Sequence, residues 1–360
     1  VPSWAQDKSR VPNCKAICGL DRPLVLSFRF NGTGGGDWGR LARTAIVPAR
    51  PASCEVRRAA RRGVSIRIMT PVANWVAGLF FLLIFGAAPG AAAAERGFLY
   101  AIDAPESDES PCYLFGTIHS EDPRVLSLTA PTQAAFDRSN LFIMEAIPDA
   151  QAVIRAMMAM VYTDGRGLAQ VAGRSLYERT VQALAERGMA EEAIKDYKPW
   201  AAATLLGMPE ASTGEFLDIR LYKAALAAGK QVQGLESIEE QLAVFDTLSE
   251  EDQIALLRET LEARSDLPEV FARLLEAYLS RDLARLERLG DEYLRRGDPQ
   301  LAARFRHAAL EVRNQHMTAR MLAYLRAGGC FIAIGALHLP GEGGVLARLT
   351  QAGFSPRARD

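Results

Sequence analysis

Cys112-Tyr113-Leu114-Phe115-Gly116-Thr117-Ile118-His119 and Cys330-Phe331-Ile332-Ala333-Ile334-Gly335-Ala336-Leu337-His338 follow one plan: a cysteine, a short apolar run, a glycine, and a histidine three residues later. An apolar run of this length without polar alternation reads as a β-strand covered on both faces, the kind found inside parallel sheets. Glycine at the strand end lets the backbone leave sharply and come close to a ligand. As neighbouring parallel strands the two runs would set Cys112 beside Cys330. That pair is then either a disulfide suited to an oxidising compartment or two buried thiols acting as small hydrophobes.

Working outward, the strand-like 98–102 precedes the first run and forms a hairpin with it. A helix is expected over 128–139, where Pro131 and Thr132 suit a first turn, and then a strand, 141–144, that ends at Glu145. Helical periodicity covers 151–162, 175–186, 199–206 and 216–228, the last closed by Gly229. A short strand, 231–235, ends at Glu236. Further helices are expected over 238–247, 250–263, 267–279, 283–289 and 300–327, and a final one over 343–352. The terminal strands are too few to form a sheet unless they meet across the helical middle. The expected fold is therefore α/β, a central mixed sheet with strands from both ends of the mature chain and a large helical insertion, in one domain over 95–360. No fixed repeat period is present.

The chain before this domain has a different character. Residues 1–68 carry 13 Lys/Arg against 4 Asp/Glu and show no periodicity, so they read as a non-native or disordered extension ahead of a start at Met69 or near Val64. Residues 69–94 hold no charge; the apolar run Trp75 to Phe85 is followed by Ala92-Ala93-Ala94. This is the pattern of a signal peptide cleaved after Ala94, giving a periplasmic or secreted protein with no remaining membrane span. The alternative is an uncleaved anchor over 75–88. Cleavage leaves Cys112 and Cys330 as the mature cysteines, since Cys14, Cys18 and Cys54 lie upstream. From Glu95 onward 29 basic and 39 acidic residues give a net charge of −10, which argues against a nucleic-acid partner.

Four strands end in groups that bind metals or move protons: His119, Glu145, Glu236 and His338. In open α/β sheets, residues at the carboxyl ends of parallel strands converge on one crevice. Two imidazoles with carboxylates suit a divalent transition metal, Mn, Co or Zn, with an open coordination position; spacing does not choose among them. No His-Glu-x-x-His run is present, which excludes a zincin-type peptidase. Each histidine alone would read as a core or turn residue; two in matching settings point to a site. His307 and His316 read as surface positions. Arg313, beside Asn314, reads either as an oxyanion or carboxylate donor or as one half of a salt bridge. Glu239, Glu240 and Gln241 read as the first turn of a helix.

Four motifs in order, Tyr113 to His119, Gly234-Leu235-Glu236-Ser237 with Gln241, Arg313-Asn314 with Met317, and Gly335-Ala336-Leu337-His338-Leu339-Pro340-Gly341-Glu342-Gly343-Gly344, resemble the TraB/PrgY/GumN family over about 98–354. The resemblance implies a fold like that of the Tiki, EreA and ChaN proteins. It also implies a functional set centred on His119, Glu145 and His338, supported by Glu236 and Arg313. Tiki relatives are membrane-tethered metal-dependent proteases, so the implied function is an exported metal-dependent hydrolase of peptidase type acting on a peptide or protein. In that scheme His119, His338 and Glu145 hold the metal, while Glu145 or Glu236 serves as general base and Arg313 steadies substrate. The alternatives are a noncatalytic metal- or haem-binding protein, or an accessory factor in envelope polysaccharide assembly.

Overall fold

The computed structural model describes residues 97–103, 111–210 and 212–360. The expected extension over 1–68 and the signal segment over 69–94 lie outside the described residues.

Six strands form one mixed sheet: β1 (Leu99–Asp103), β2 (Cys112–Thr117), β3 (Leu141–Met144), β4 (Gln231–Gly234), β5 (Cys330–Gly335) and β6 (Ser355–Ala358), in the order β4-β3-β5-β2-β1-β6. β4, β3, β5 and β2 run parallel, and β1 is antiparallel to both β2 and β6. The centre of the sheet is the parallel β2–β5 ladder, with Tyr113 opposite Phe331 and Thr117 opposite Gly335. Every residue of β2 is buried, as is all of β5 up to Gly335, which matches their unbroken apolar sequence. The edge strands are polar where they meet water: β4 reads Gln-Val-Gln-Gly and β6 reads Ser-Pro-Arg-Ala. β6 was not expected from sequence, because it has neither apolar alternation nor β-branched residues.

Two helical series interrupt the sheet, one between β3 and β4 and the other between β4 and β5. Their starts follow local chemistry. Asp149 and Ser249 accept hydrogen bonds from the first turns of the helices Ala150–Ala159 and Glu250–Ala263, and Ser237 with Glu240 forms a capping box on Ile238–Asp246. One cluster of buried apolar side chains surrounds the sheet. A second lies among the helices, centred on Trp200 and Phe245, whose rings stack with centroids 4.5 Å apart. The expected long helix over 300–327 is interrupted: Pro299–Arg306 gives way to a π-helical segment, His307–Val312, before the α-helix Arg313–Ala327. The wider turn shifts which residues face the sheet, and Arg313 and Asn314 emerge buried directly after it. No helix among the described residues is long and apolar enough to cross a membrane.

Cys112 and Cys330 face each other as a disulfide pair at the starts of β2 and β5, with Cα atoms 4.7 Å apart and a sequence separation of 218. By the chain-entropy relation, closing a loop of that length stabilises the fold by on the order of 5 kcal/mol. Replacing both cysteines by serine is expected to lower the unfolding free energy toward that extent in urea titrations. A loss below about 1 kcal/mol would mean that strand packing alone holds the pair together.

Candidate functional site

The parallel direction of β4, β3, β5 and β2 places their carboxyl ends on one edge of the sheet. Met144 lies level with Gly234 on one side and Ala333 on the other, and Gly335 lies level with Thr117. Following the strand order, the edge therefore presents Glu236, Glu145, His338 and His119. All four are buried.

The two motif glycines serve close packing between these elements. A Cβ on Gly116 would lie 2.7 Å from Leu339 Cδ1 and 3.1 Å from Ala336 Cα, so the first Gly-x-x-His element gives way to the backbone of the second. A Cβ on Gly335 would lie 3.2 Å from Glu145 Oε1. Its absence also opens the Gly335 N–H, which donates to that oxygen at 2.6 Å. The Gly116 carbonyl is held from another direction, by the buried Tyr278 hydroxyl at 2.8 Å.

Arg313 unites the acidic half of the edge. Its Nη2 donates to Glu145 Oε2 and to Glu236 Oε2, each at 2.6 Å, and its Nε donates to Glu236 Oε2 at 2.9 Å. The Gln241 amide adds bonds to the same two carboxylates, at 3.2 Å to Glu145 and 3.4 Å to Glu236. Gln241, expected to be an ordinary first-turn residue, is thus part of the buried network; Glu240 is the capping-box acid, as expected of that turn. Arg313 Nη1 is buried with no hydrogen-bond partner among the described residues. Arg313 favours the charged form of both carboxylates, and their other surroundings set them apart. Burial would raise the Glu145 carboxyl, but Arg313, His338 and the Gly335 N–H together hold it down at about 2. At Glu236 burial prevails over Arg313, and the neighbouring Glu145 charge adds to the rise.

Both histidines are fixed through Nδ1. The His338 Nδ1 lies 2.6 Å from Asn314 Oδ1, and the Asn314 amide donates to the Gly343 carbonyl at 3.0 Å, an arrangement that makes Oδ1 the acceptor and Nδ1 the protonated nitrogen. His338 Nε2 then faces Glu145 Oε1 at 3.8 Å. Burial pushes this imidazole down to about 4, against the attraction of Glu145. His119 Nδ1 lies 2.7 Å from Asp218 Oδ2, and Asp218 also accepts a short hydrogen bond from the Thr117 hydroxyl. For His119, burial opposes the charge, but the charge and hydrogen bond of Asp218, with Glu145 beyond, raise it above its ordinary value. Asp218 was missed in the sequence. It sits in the first turn of the helix Leu217–Ala227, where an acid reads as complementing the helix dipole, and its only signal was isolation in an apolar stretch. His307 and His316 are exposed, in keeping with their sequence reading.

Among the described residues no three His, Cys, Asp or Glu side chains stand as a group that could hold a metal ion. The donor chemistry nevertheless suits one. A buried neutral imidazole presents Nε2 to an ionised carboxylate, and each ring is oriented through Nδ1 by an oxygen acceptor, which is how proteins commonly orient metal-ligating histidines.

Fold and edge together define an α/β protein with a buried polar site at the carboxyl ends of its parallel strands. The chain belongs to the TraB/PrgY/gumN family, whose model matches residues 100–358, from β1 to β6. Comparison with curated proteins and with solved structures gave no match.

Arg313→Ala would leave two buried carboxylates sharing no cation, and a loss of about 3–5 kcal/mol in unfolding free energy is expected from chemical denaturation. Adding Glu145→Gln and Glu236→Gln should recover part of it. His338 binds its proton more weakly folded than unfolded, so the unfolded chain takes up more protons between pH 6.5 and about 4. Stability should therefore fall as pH drops through that window. His338→Asn should flatten the slope there in thermal midpoints measured against pH.

Proposed function

We propose that this chain is an exported metal-dependent hydrolase of peptidase type, with His119, His338 and Glu145 as ligands of a divalent transition ion, Mn, Co or Zn. The observation that carries this reading is the His338–Glu145 pair at 3.8 Å, with the imidazole held in the Nε2-accepting tautomer by Asn314. Such an ion, when bound, lowers the pKa of water and polarises a carbonyl.

The chain's own residues supply the rest. Asp218 and Asn314 orient the two imidazoles, and Arg313 keeps Glu145 anionic at neutral pH. Glu236, with its carboxyl raised, is the group suited to take a proton from the attacking nucleophile and return it to the leaving amine. The unpartnered Nη1 of Arg313 is a buried donor that a substrate carbonyl oxygen would satisfy. Placement outside the cytoplasm is supported by the apolar run and alanines before Glu95 and by the Cys112–Cys330 pair.

A second reading, a noncatalytic metal- or haem-binding protein, is favoured by one observation: both strand-end carboxylates already accept hydrogen bonds from Arg313. Elemental analysis of the purified chain from Glu95 onward, paired with cleavage of a peptide library, separates the two. The hydrolase reading expects stoichiometric metal, chelator-sensitive cleavage, and loss of both in His119→Ala and His338→Ala. Asn314→Ala should weaken metal binding about 10–100-fold. Metal without cleavage would favour the binding protein, and histidine variants that hold metal like the parent would overturn the ligand assignment.

A further inference from the structure

Two residues beyond His119, Glu121 places its carboxylate against the segment 212–214. Oε2 accepts from the Ser212 N–H at 2.8 Å and from its hydroxyl at 2.6 Å. Oε1 accepts from the Thr213 N–H at 2.9 Å, from its hydroxyl at 3.0 Å, and from the Gly214 N–H. Three successive backbone donors converging on one anion require a turn that L side chains adopt poorly, and Gly214 supplies it with a φ of 72°.

The segment held in this way leads directly to His119. Phe216 stacks on the imidazole with ring centroids 5.8 Å apart, and Asp218 Oδ2 lies 2.7 Å from its Nδ1. Asp218 also accepts from Thr117, on the strand that delivers His119. The contacts close a ring: from β2 through His119 to Glu121, across to 212–214, along the chain past Phe216 to Asp218, and back to Thr117 and His119. Neither 118–121 nor 212–216 has regular secondary structure, so backbone hydrogen bonding within an element does not hold either arm. Asp218 is fixed separately by its helix, which packs on β3 and β4. Phe216 is buried and its carbonyl accepts from the Arg220 N–H at 2.9 Å as that helix begins, while Glu121 holds the segment just before it.

We infer that Glu121 is a positioning residue for His119: its carboxylate clamps 212–214 so that Phe216 and Asp218 bracket the imidazole from two sides. The inference takes from the proposed function only that His119 is a working group. Five donors meet on this one carboxylate, and the charge on the acceptor strengthens each bond.

The test reads the bracket without metal or substrate. In the chain from Glu95 onward, Glu121→Ala is expected to speed amide exchange at Ser212, Thr213 and Gly214 by about tenfold or more. It should also shift or broaden the imidazole nitrogen resonances of His119, leaving those of His338 in place as an internal control. Faster exchange with an unchanged His119 would reduce Glu121 to a loop staple, and unchanged exchange would mean there is no clamp; either overturns the inference. If Glu121→Ala does not fold, Glu121→Gln removes the charge and keeps one oxygen acceptor. The same two readouts then apply, with smaller changes expected and the same overturning outcomes. Because neither readout depends on cleavage, the bracket can stand if the hydrolase reading fails, and the reverse also holds.

Discussion

Pairing of β2 with β5 joins two stretches whose cysteines stand 218 residues apart, and the other strands take their places from it. β3 and β4 extend the sheet on the β5 side, while β1 and β6 extend it on the β2 side. The two Gly-x-x-His elements meet because of this ladder, and at Gly116 there is no space for a side chain against Ala336 and Leu339. The glycines earlier read as freedom to approach a ligand are, in the folded chain, sites where one half of the edge approaches the other.

Electrostatically the edge is divided. On the β4–β3 side a single buried guanidinium favours the charged form of both carboxylates; Glu145 stays ionised, while burial and the Glu145 charge raise Glu236. On the β5–β2 side the two imidazoles differ in the opposite sense, with His338 held neutral by burial and His119 drawn toward protonation by Asp218. Four groups of two chemical types thus occupy four distinct environments. That is the condition under which one site can both donate and accept protons at a single pH.

The strands that carry this edge were legible because their apolar runs are uninterrupted and their final residues polar, a contrast visible without coordinates. Strand order follows less directly, yet the convergence of His119, Glu145, Glu236 and His338 could be expected from the behaviour of parallel strand ends. Other parts had no local signal. β6 is recruited by pairing with β1 although its own residues are polar. The π-helical segment before Arg313 looks in sequence like ordinary helix. Asp218 and Glu121 matter through partners about 100 and 91 residues away, and a single sequence does not encode such distances in any period. For Arg313 the salt-bridge reading is present, with Nε and Nη2 on the two carboxylates, and Nη1 has no partner among the described residues.

The central ladder also sets an order of events during synthesis. A ribosome delivers β2 long before β5, and the helices between them, rich in local contacts, can form while the centre of the sheet is still missing. Until Cys330 emerges, β2 is an apolar strand without its parallel neighbour, and Cys112 is a thiol without its partner. Both are exposed to wrong pairings throughout that interval. A chain built in this way gains from being kept unfolded, or shielded, until its last strands have been made.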